Sequence, residues 1–311
     1  MNLGPFKLQS NYILAPIAGY TDKPFRRIAK EFGAALTYSE LISSNAIYHN
    51  NKKTYKLIEK NDNEYPFSIQ LFGYDADIFL YAAQSIEEYC DCIDINAGCP
   101  VNKVVKNFSG SYLLKDERRL FAIIDKLKKH LKVPISVKLR KGFSNNEINS
   151  IAFYKELENR GIDWITIHGR TKEQYFSGNV DYGHIRDVKN ALNIPVIANG
   201  GLDSYKKIEQ VRYITHCNFF MIGQAALHKP YIFEDIINKK DSERSYSFLI
   251  NLMKKHLFYM EEYYRENAVK LFRKFFHRYV KGFKNAKYLN LKMNECNNLK
   301  DALDTIEMLQ A

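Results

Sequence analysis

Eight short apolar segments rich in β-branched residues punctuate the chain: YILAP (12–16), ALTYSE (35–40), FSIQLFG (67–73), CIDINAG (92–98), ISVKLR (135–140), WITIHGR (164–170), VIANGG (196–201) and FFMIG (219–223). Amphipathic pieces lie between them, among them DKPFRRIAKEF, DIFLYAAQSIEEYC, DERRLFAIIDKLKKHL and NEINSIAFYKELENRG. Strands that alternate with helices pack as a parallel sheet, because each helix carries the chain back over one face before the next strand begins. Eight such units within residues 1–240 match the size of a closed (β/α)8, or TIM, barrel. A doubly wound open sheet is the alternative, but its G-x-G-x-x-G phosphate loop after the first strand is missing. The expectation is an α/β chain built on the barrel.

After Lys240 the pattern changes. DSERSYSFLINLMKKHLFYMEEYYREN and AVKLFRKFFHRYVKGF carry helical periodicity, no further β-branched run follows, and Pro is absent. This predicts a catalytic barrel over 1–240 and a small all-helical domain over 241–311, joined by the polar KKDSERS. The chain has 46 Lys and Arg against 35 Asp and Glu, a net charge of +11, which favours a polyanionic partner. Lys is plentiful throughout, so the placement of charge decides more than its sum. Between Ala268 and Asn294 there are eight Lys or Arg and no acid. Lys270, Arg273, Lys274, His277, Arg278 and Lys281 fall at helical spacing on one face, opposite Phe272, Phe275, Phe276 and Tyr279. Such a stripe suits a solvated face, an anionic membrane surface or a phosphate backbone, and the last is expected here.

Other classes are disfavoured. No apolar run approaches a bilayer span, and MNLGPFKLQS lacks a signal peptide's basic start and apolar stretch, so the expected compartment is the cytoplasm, without a membrane partner. The five cysteines are odd in number and scattered, which is no disulfide framework. Cys90, Cys92 and Cys99 fit no zinc spacing and have no His nearby, so no metal is expected. Nothing points to an obligate protein partner.

In a barrel of this class the chemistry sits at the carboxyl ends of the strands. Those positions hold Pro16 to Gly19, Gln70, Asp94, Asn96, Cys99, Lys138, Arg140, His168, Arg170, Asn199 to Gly201, Gly223 and Gln224. Barrel interiors are normally filled with Val, Ile and Leu, so a ring of polar ends calls for a functional account. VIANGGLDS and MIGQAALHKP each run from strand through Gly into a helix start, with Asp203 or Ser204 placed to cap the first. The loops after strands seven and eight are the usual phosphate site of the fold. In DINAGCPVNK, Cys99 stands between Gly98 and Pro100, on a turn that aims the thiol.

APIAGYTDKPFRRIAKEFGA, SELISS, DINAGCPVNKVVKNFSGSYLL, KLRKGF, TIHGRTKEQYFSG and IPVIANGGLDS together resemble the bacterial tRNA-dihydrouridine synthases, most closely the B-type branch. The resemblance runs from about Ile13 to Tyr231, and KLFRKFFHRYVKGF echoes that family's helical tail. It implies a barrel with bound FMN, NADPH as reductant and tRNA uridine as substrate. By matching motif, Pro16, Ile17, Ala18, Gln70, Lys138, His168, Asn199, Gly200, Gly201, Gly223 and Gln224 would hold FMN. Cys99 would protonate C5 of uracil as hydride reaches C6, which suits a thiol near its ordinary pKa of ~8.5, mostly protonated at neutral pH. Asn96 and Arg140 would contact uracil, Arg170 would also face the substrate, and Lys270, Arg273, Lys274 and Arg278 would hold tRNA. Two positions depart from the family pattern: Gln224 stands where Arg is usual, and Phe275 ends an R-K-H motif as R-K-F. Two other functions compete, a dihydroorotate-dehydrogenase-like flavin barrel acting on a free pyrimidine, and a non-catalytic tRNA-binding or chaperone protein.

Overall fold

The computed structural model describes residues 1–309. The eight apolar segments are its strands: β1 (Tyr12–Leu14), β2 (Thr37–Ser43), β3 (Phe67–Phe72), β4 (Cys92–Ala97), β5 (Ile135–Arg140), β6 (Trp164–His168), β7 (Val196–Asn199) and β8 (Phe219–Ile222). Neighbours in sequence are neighbours in the sheet, all parallel, and β8 pairs with β1. The Ala35 amide donates to the Tyr12 carbonyl at 2.8 Å and the Leu14 amide to the Leu36 carbonyl at 3.0 Å, which closes the ring between β1 and β2 and leaves no free edge. One strand differs from its sequence reading: β2 runs on to Ser43, past a register shift between Tyr38 and Leu41. There the Ser39 hydroxyl accepts from the Gln70 amide at 3.0 Å, filling a place in the ladder that main chain would otherwise take.

Around the sheet lie α1 (Lys23–Glu31), α2 (Ser44–Tyr48), α3 (Ala76–Ile86), α4 (Glu117–His130), α5 (Ile151–Asn159), α6 (Tyr182–Ala191), α7 (Tyr205–Thr215) and α8 (Ile232–Ile237). Their starts are written in the sequence. Asp22, Asp75, Asp116, Ser150, Asp181 and Ser204 each accept a main-chain N–H of the first turn. An antiparallel hairpin, Asn2–Leu3 with Phe6–Lys7, stoppers the amino end of the barrel, burying Leu3, Phe6 and Leu8 in one cluster with Trp164 and Met221. Only the carboxyl end stays open.

Beyond α8 the chain passes through residues 239–245 into α9 (Tyr246–Tyr264), α10 (Ala268–Tyr279), α11 (Ala286–Glu295) and α12 (Leu299–Glu307). The apolar face of α10 is buried as its spacing predicted: Phe272, Phe275, Phe276 and Tyr279 all lie inside. Phe275 stacks on Phe25 of α1 at 5.4 Å and meets Tyr20 edge-on at 5.5 Å, so the tail and the barrel share one hydrophobic core beside β1. No described helix is long and apolar enough to cross a membrane. The described residues hold no cluster of metal-ligating side chains.

Candidate active site

The open end of the barrel is a cavity of about 610 Å³. Every residue expected to hold the flavin lines it, from Pro16, Ile17 and Ala18 after β1 round to Gly223 and Gln224 after β8. Asn96, Cys99, Arg140 and Arg170 share the same wall. The floor is a hydrogen-bonded chain across three strands. Asn96 Nδ2 donates to Gln70 Oε1 at 2.7 Å, Gln70 Nε2 donates to Asp94 at 2.6 Å, and the Ser136 hydroxyl donates to the other carboxylate oxygen. The Gln70 amide is therefore fixed in one orientation. Burial pushes the Asp94 carboxyl up to about 6, against the pull of Gln70, Ser136 and Lys138.

Cys99 sits on a turn held from several sides. Asn96 Oδ1 accepts from the Gly98 and Cys99 amides at 3.1 and 2.9 Å. The Cys99 carbonyl accepts from the Ser111 amide at 3.2 Å and its hydroxyl at 2.9 Å. Gly110, at φ +63°, passes so close that an added Cβ would lie 3.1 Å from Cys99 Cβ. Burial raises the thiol above its ordinary value, although the Val101 amide, Lys138 and Arg140 oppose this, so Cys99 holds its proton at neutral pH.

Lys138 makes no hydrogen bond or ion pair among the described residues, and burial, helped by Arg140, brings its ammonium down to about 8. His168 Nδ1 is buried without a partner. Burial and the Arg140, Lys138 and Arg170 charges hold the imidazole well below its usual range, hence neutral. Behind it Gly200 takes φ +110°, a conformation that side chains rarely adopt, and a Cβ there would lie 3.2 Å from the His168 ring. Asn199 Nδ2 donates to the Met221 carbonyl at 2.7 Å, tying β7 to β8 at this end. Of the two cap candidates Ser204 caps α7, and Asp203 faces the cavity.

Arg140 is 3% exposed, and its guanidinium donates to the Gly98, Thr171 and Tyr175 carbonyls. Arg170 donates to the Gly178 carbonyl through Nε and Nη2. The basic stripe on α10 is divided, a correction to its reading as one face. Lys270 is exposed, Arg273 donates to the Cys296 carbonyl at 2.7 Å, and Lys274 lies over the Tyr20 and Phe275 rings. Arg278 reaches the Tyr20 hydroxyl at 3.4 Å and His228 Nε2 at 3.4 Å, while His228 Nδ1–H donates to the Arg278 carbonyl at 2.9 Å. Residues flanking a wide aromatic face sit at its border, where neighbouring carbonyls and rings capture long side chains. None of these four basic residues reaches the cavity.

Sequence reasoning missed Tyr175, Phe176 and His228 as wall residues. The first two are adjacent aromatics in an otherwise polar loop, and Phe176 is 58% exposed. His228 lies four residues after Gln224 on one short helix, so the two share a face.

The family model for "Dihydrouridine synthase (Dus)" matches residues 13–311. The chain belongs to the dihydrouridine synthase family. The tRNA-dihydrouridine synthase B of Pasteurella multocida is 34% identical to it, over 99% of this chain and 95% of that one. A probable tRNA-dihydrouridine synthase of Helicobacter pylori is 36% identical, over 97% and 92%. Among solved structures, morphinone reductase is similar with a TM-score of 0.56 at 11% identity, covering 78% of this chain and 90% of its own, a likeness of fold alone. The wall of this family member fits a flavin mononucleotide. The orphaned His168 nitrogen and the unpaired Lys138 ammonium offer charge and hydrogen bonds to a ring, and the positive-φ Gly200 and Gly201 leave main chain bare at the β7–β8 end.

Proposed function

We propose that the protein reduces uridine in tRNA to 5,6-dihydrouridine, with FMN as bound cofactor, NADPH as reductant and Cys99 as the acid. The observation that carries the reading is a convergence in one cavity: a protonated thiol on a clamped turn, a free ammonium and a neutral imidazole with an unused nitrogen. Gln70, Lys138 and His168 would hold the ring, while Asn199 to Gly201 with Gly223 and Gln224 would hold the phosphate. When bound, the flavin supplies the hydride for C6 of the base. Lys138 would hold its positive charge against the bound flavin. Cys99 keeps its proton on Sγ until C5 receives it. The fixed turn replaces a search by a mobile side chain with one orientation. Asn96 and Arg170 line the space left for the uracil, which must leave its stack to enter; in a single-stranded loop this costs little.

Residues 241–311 act in this reading as a tRNA-binding domain in a cytoplasmic enzyme, with Lys270, Arg273, Lys274 and Arg278 near the RNA backbone. The basic tail argues against a free pyrimidine as substrate, since a small neutral base gives it nothing to bind. The test is incubation of unmodified tRNA transcript with the protein, FMN and NADPH, with dihydrouridine counted by nucleoside mass spectrometry. Wild type is expected to form product and Cys99→Ala to lose about 10²–10⁴-fold in rate, the usual contribution of a general acid. Equal rates would remove Cys99 from the mechanism. An FMN-loaded protein that binds tRNA and yields no product would leave a non-catalytic binder.

A further inference from the structure

We propose that the Phe108 ring is a stacking platform for an RNA base beside the target uridine, with Lys103 and Lys106 at the flanking phosphates. It rests on the tRNA reading above and adds a surface of the barrel to the contact assigned there to the helical tail. The segment that follows the Cys99 turn begins with a one-turn helix, Asn102–Val105. Two main-chain bonds close its end, from the Ser109 amide to the Val104 carbonyl at 3.3 Å and from the Phe108 amide to the Val105 carbonyl at 3.0 Å. This pair of bonds demands a residue of positive φ just after the helix, and glycine is the usual one because it lacks a Cβ. Phe108 fills the position at φ +55°. Burial does not offset the strain, since Phe108 is 50% exposed. Strain without burial points to a use outside folding.

Two T-shaped contacts fix the ring. Tyr112 meets it at 5.1 Å and 80°, and Tyr74, just past β3, at 6.1 Å and 63°. A rigid, open aromatic of this kind takes a nucleobase of any identity, because every base has a π-face. The charge around it suits the same partner. From Ile95 to Leu114 the chain carries Lys103 and Lys106 and no acid. Both lysines are exposed, and neither ammonium is bonded among the described residues. The surface also runs into the active site: Val101 lines the cavity, and Gly110, two residues beyond Phe108, packs against Cys99. A base on Phe108 therefore belongs to a nucleotide near the one whose uracil reaches the thiol. The tail meets the barrel beside β1, whereas this segment leaves β4, three strands further round. The RNA is thus gripped on two sides of the mouth. A single-stranded loop supplies bare bases and phosphates together, which a duplex does not.

The test uses the FMN-loaded full chain and unmodified tRNA transcript, with filter binding as the readout. Phe108→Gly removes the ring and suits the positive φ, so the turn keeps its shape, while Phe108→Tyr keeps an aromatic face. The glycine variant is expected to bind tRNA about tenfold more weakly, the size of one lost base stack, and the tyrosine variant to stay within about twofold of the wild type. Transcripts with an abasic nucleotide at each position in turn around the target uridine locate the partner. At one position the loss is about tenfold for the wild type and close to nil for Phe108→Gly, since ring and base act as a pair. Lys103→Ala with Lys106→Ala lowers the log–log salt slope by about 1.4–1.8, two phosphate contacts, and leaves that coupling in place. Equal affinity of Phe108→Gly and the wild type overturns the proposal, and so does a glycine variant weakened alike by every abasic position. An unmoved salt slope overturns its phosphate half. Should the wild type show the coupling and yet form no dihydrouridine, the reductase reading fails and the platform stands. A wild type without affinity for tRNA overturns both.

Discussion

Asp94 concentrates the polar interior of this barrel in one side chain. Its carboxylate takes hydrogen bonds from Gln70 and Ser136 while burial pushes its pKa up to about 6. A raised carboxyl value means that the folded state binds the proton more tightly than the unfolded chain, whose Asp titrates at ~3.9. The stability so gained is whole below that unfolded value and is lost as pH rises through about 6. Against Asp94→Asn, which does not titrate, the wild type should therefore lose ground between pH ~4 and ~6 and run parallel above. Denaturant midpoints of the two proteins across that window check it, and a constant difference would assign Asp94 an unshifted pKa. At this scale the cavity gathers the groups that the sequence singled out, and the thiol, expected near its ordinary value, is raised above it by burial. That Lys138 and His168 face the cavity follows from the alternation of residues along their strands, whereas Cys99 lies on the turn after β4. That the thiol and imidazole are neutral, or that Arg140 is engaged by main chain, follows from what surrounds them, and those neighbours come from distant parts of the chain.

Single elements were the most legible level, because strands and helices of this length are periodic in the sequence itself. The turn after β7 shows where that legibility ends. Two adjacent glycines can simply stop a strand, yet Gly200 takes φ +110° and lies against the His168 ring. Gly200→Ala is expected to strain the turn by about 1–3 kcal/mol and to push the imidazole out of place. FMN affinity should fall by tenfold or more, each ~1.4 kcal/mol being a factor of ten, with little change in the far-ultraviolet spectrum. Flavin fluorescence quenching measures it, and an unchanged Kd would reduce the glycine to a strand terminator. On α10 the same limit shows differently. The apolar half behaves as its 3.6-residue spacing dictates, while the basic half is split by a carbonyl, two rings and a histidine contributed by other elements.

For the whole molecule, the tRNA contact proposed for the basic helical tail depends on where that tail sits against the barrel. The two share a core through Phe25 and Phe275, and Arg278 of the tail meets His228 of the cavity wall, so charge on the tail is held at a fixed place against the barrel. Affinity for tRNA should drop steeply with salt, and Lys270→Ala, at an exposed position, should lower the log–log slope by about 0.7–0.9, one phosphate contact. Filter binding across a salt series checks this, and an unchanged slope takes Lys270 out of the interface. The sequence by itself determined the barrel, the helical tail, the aimed thiol and the ring of polar strand ends, because each is written in local spacing: two for strands, 3.6 for helices, one turn between Gly98 and Pro100. Only the tertiary structure decided which donors remain free. A hydrogen-bond partner is chosen by proximity in space, so Lys138 and His168 Nδ1 are left open to a ligand while Arg140 and Arg273 are occupied by carbonyls that no spacing in the sequence could reveal.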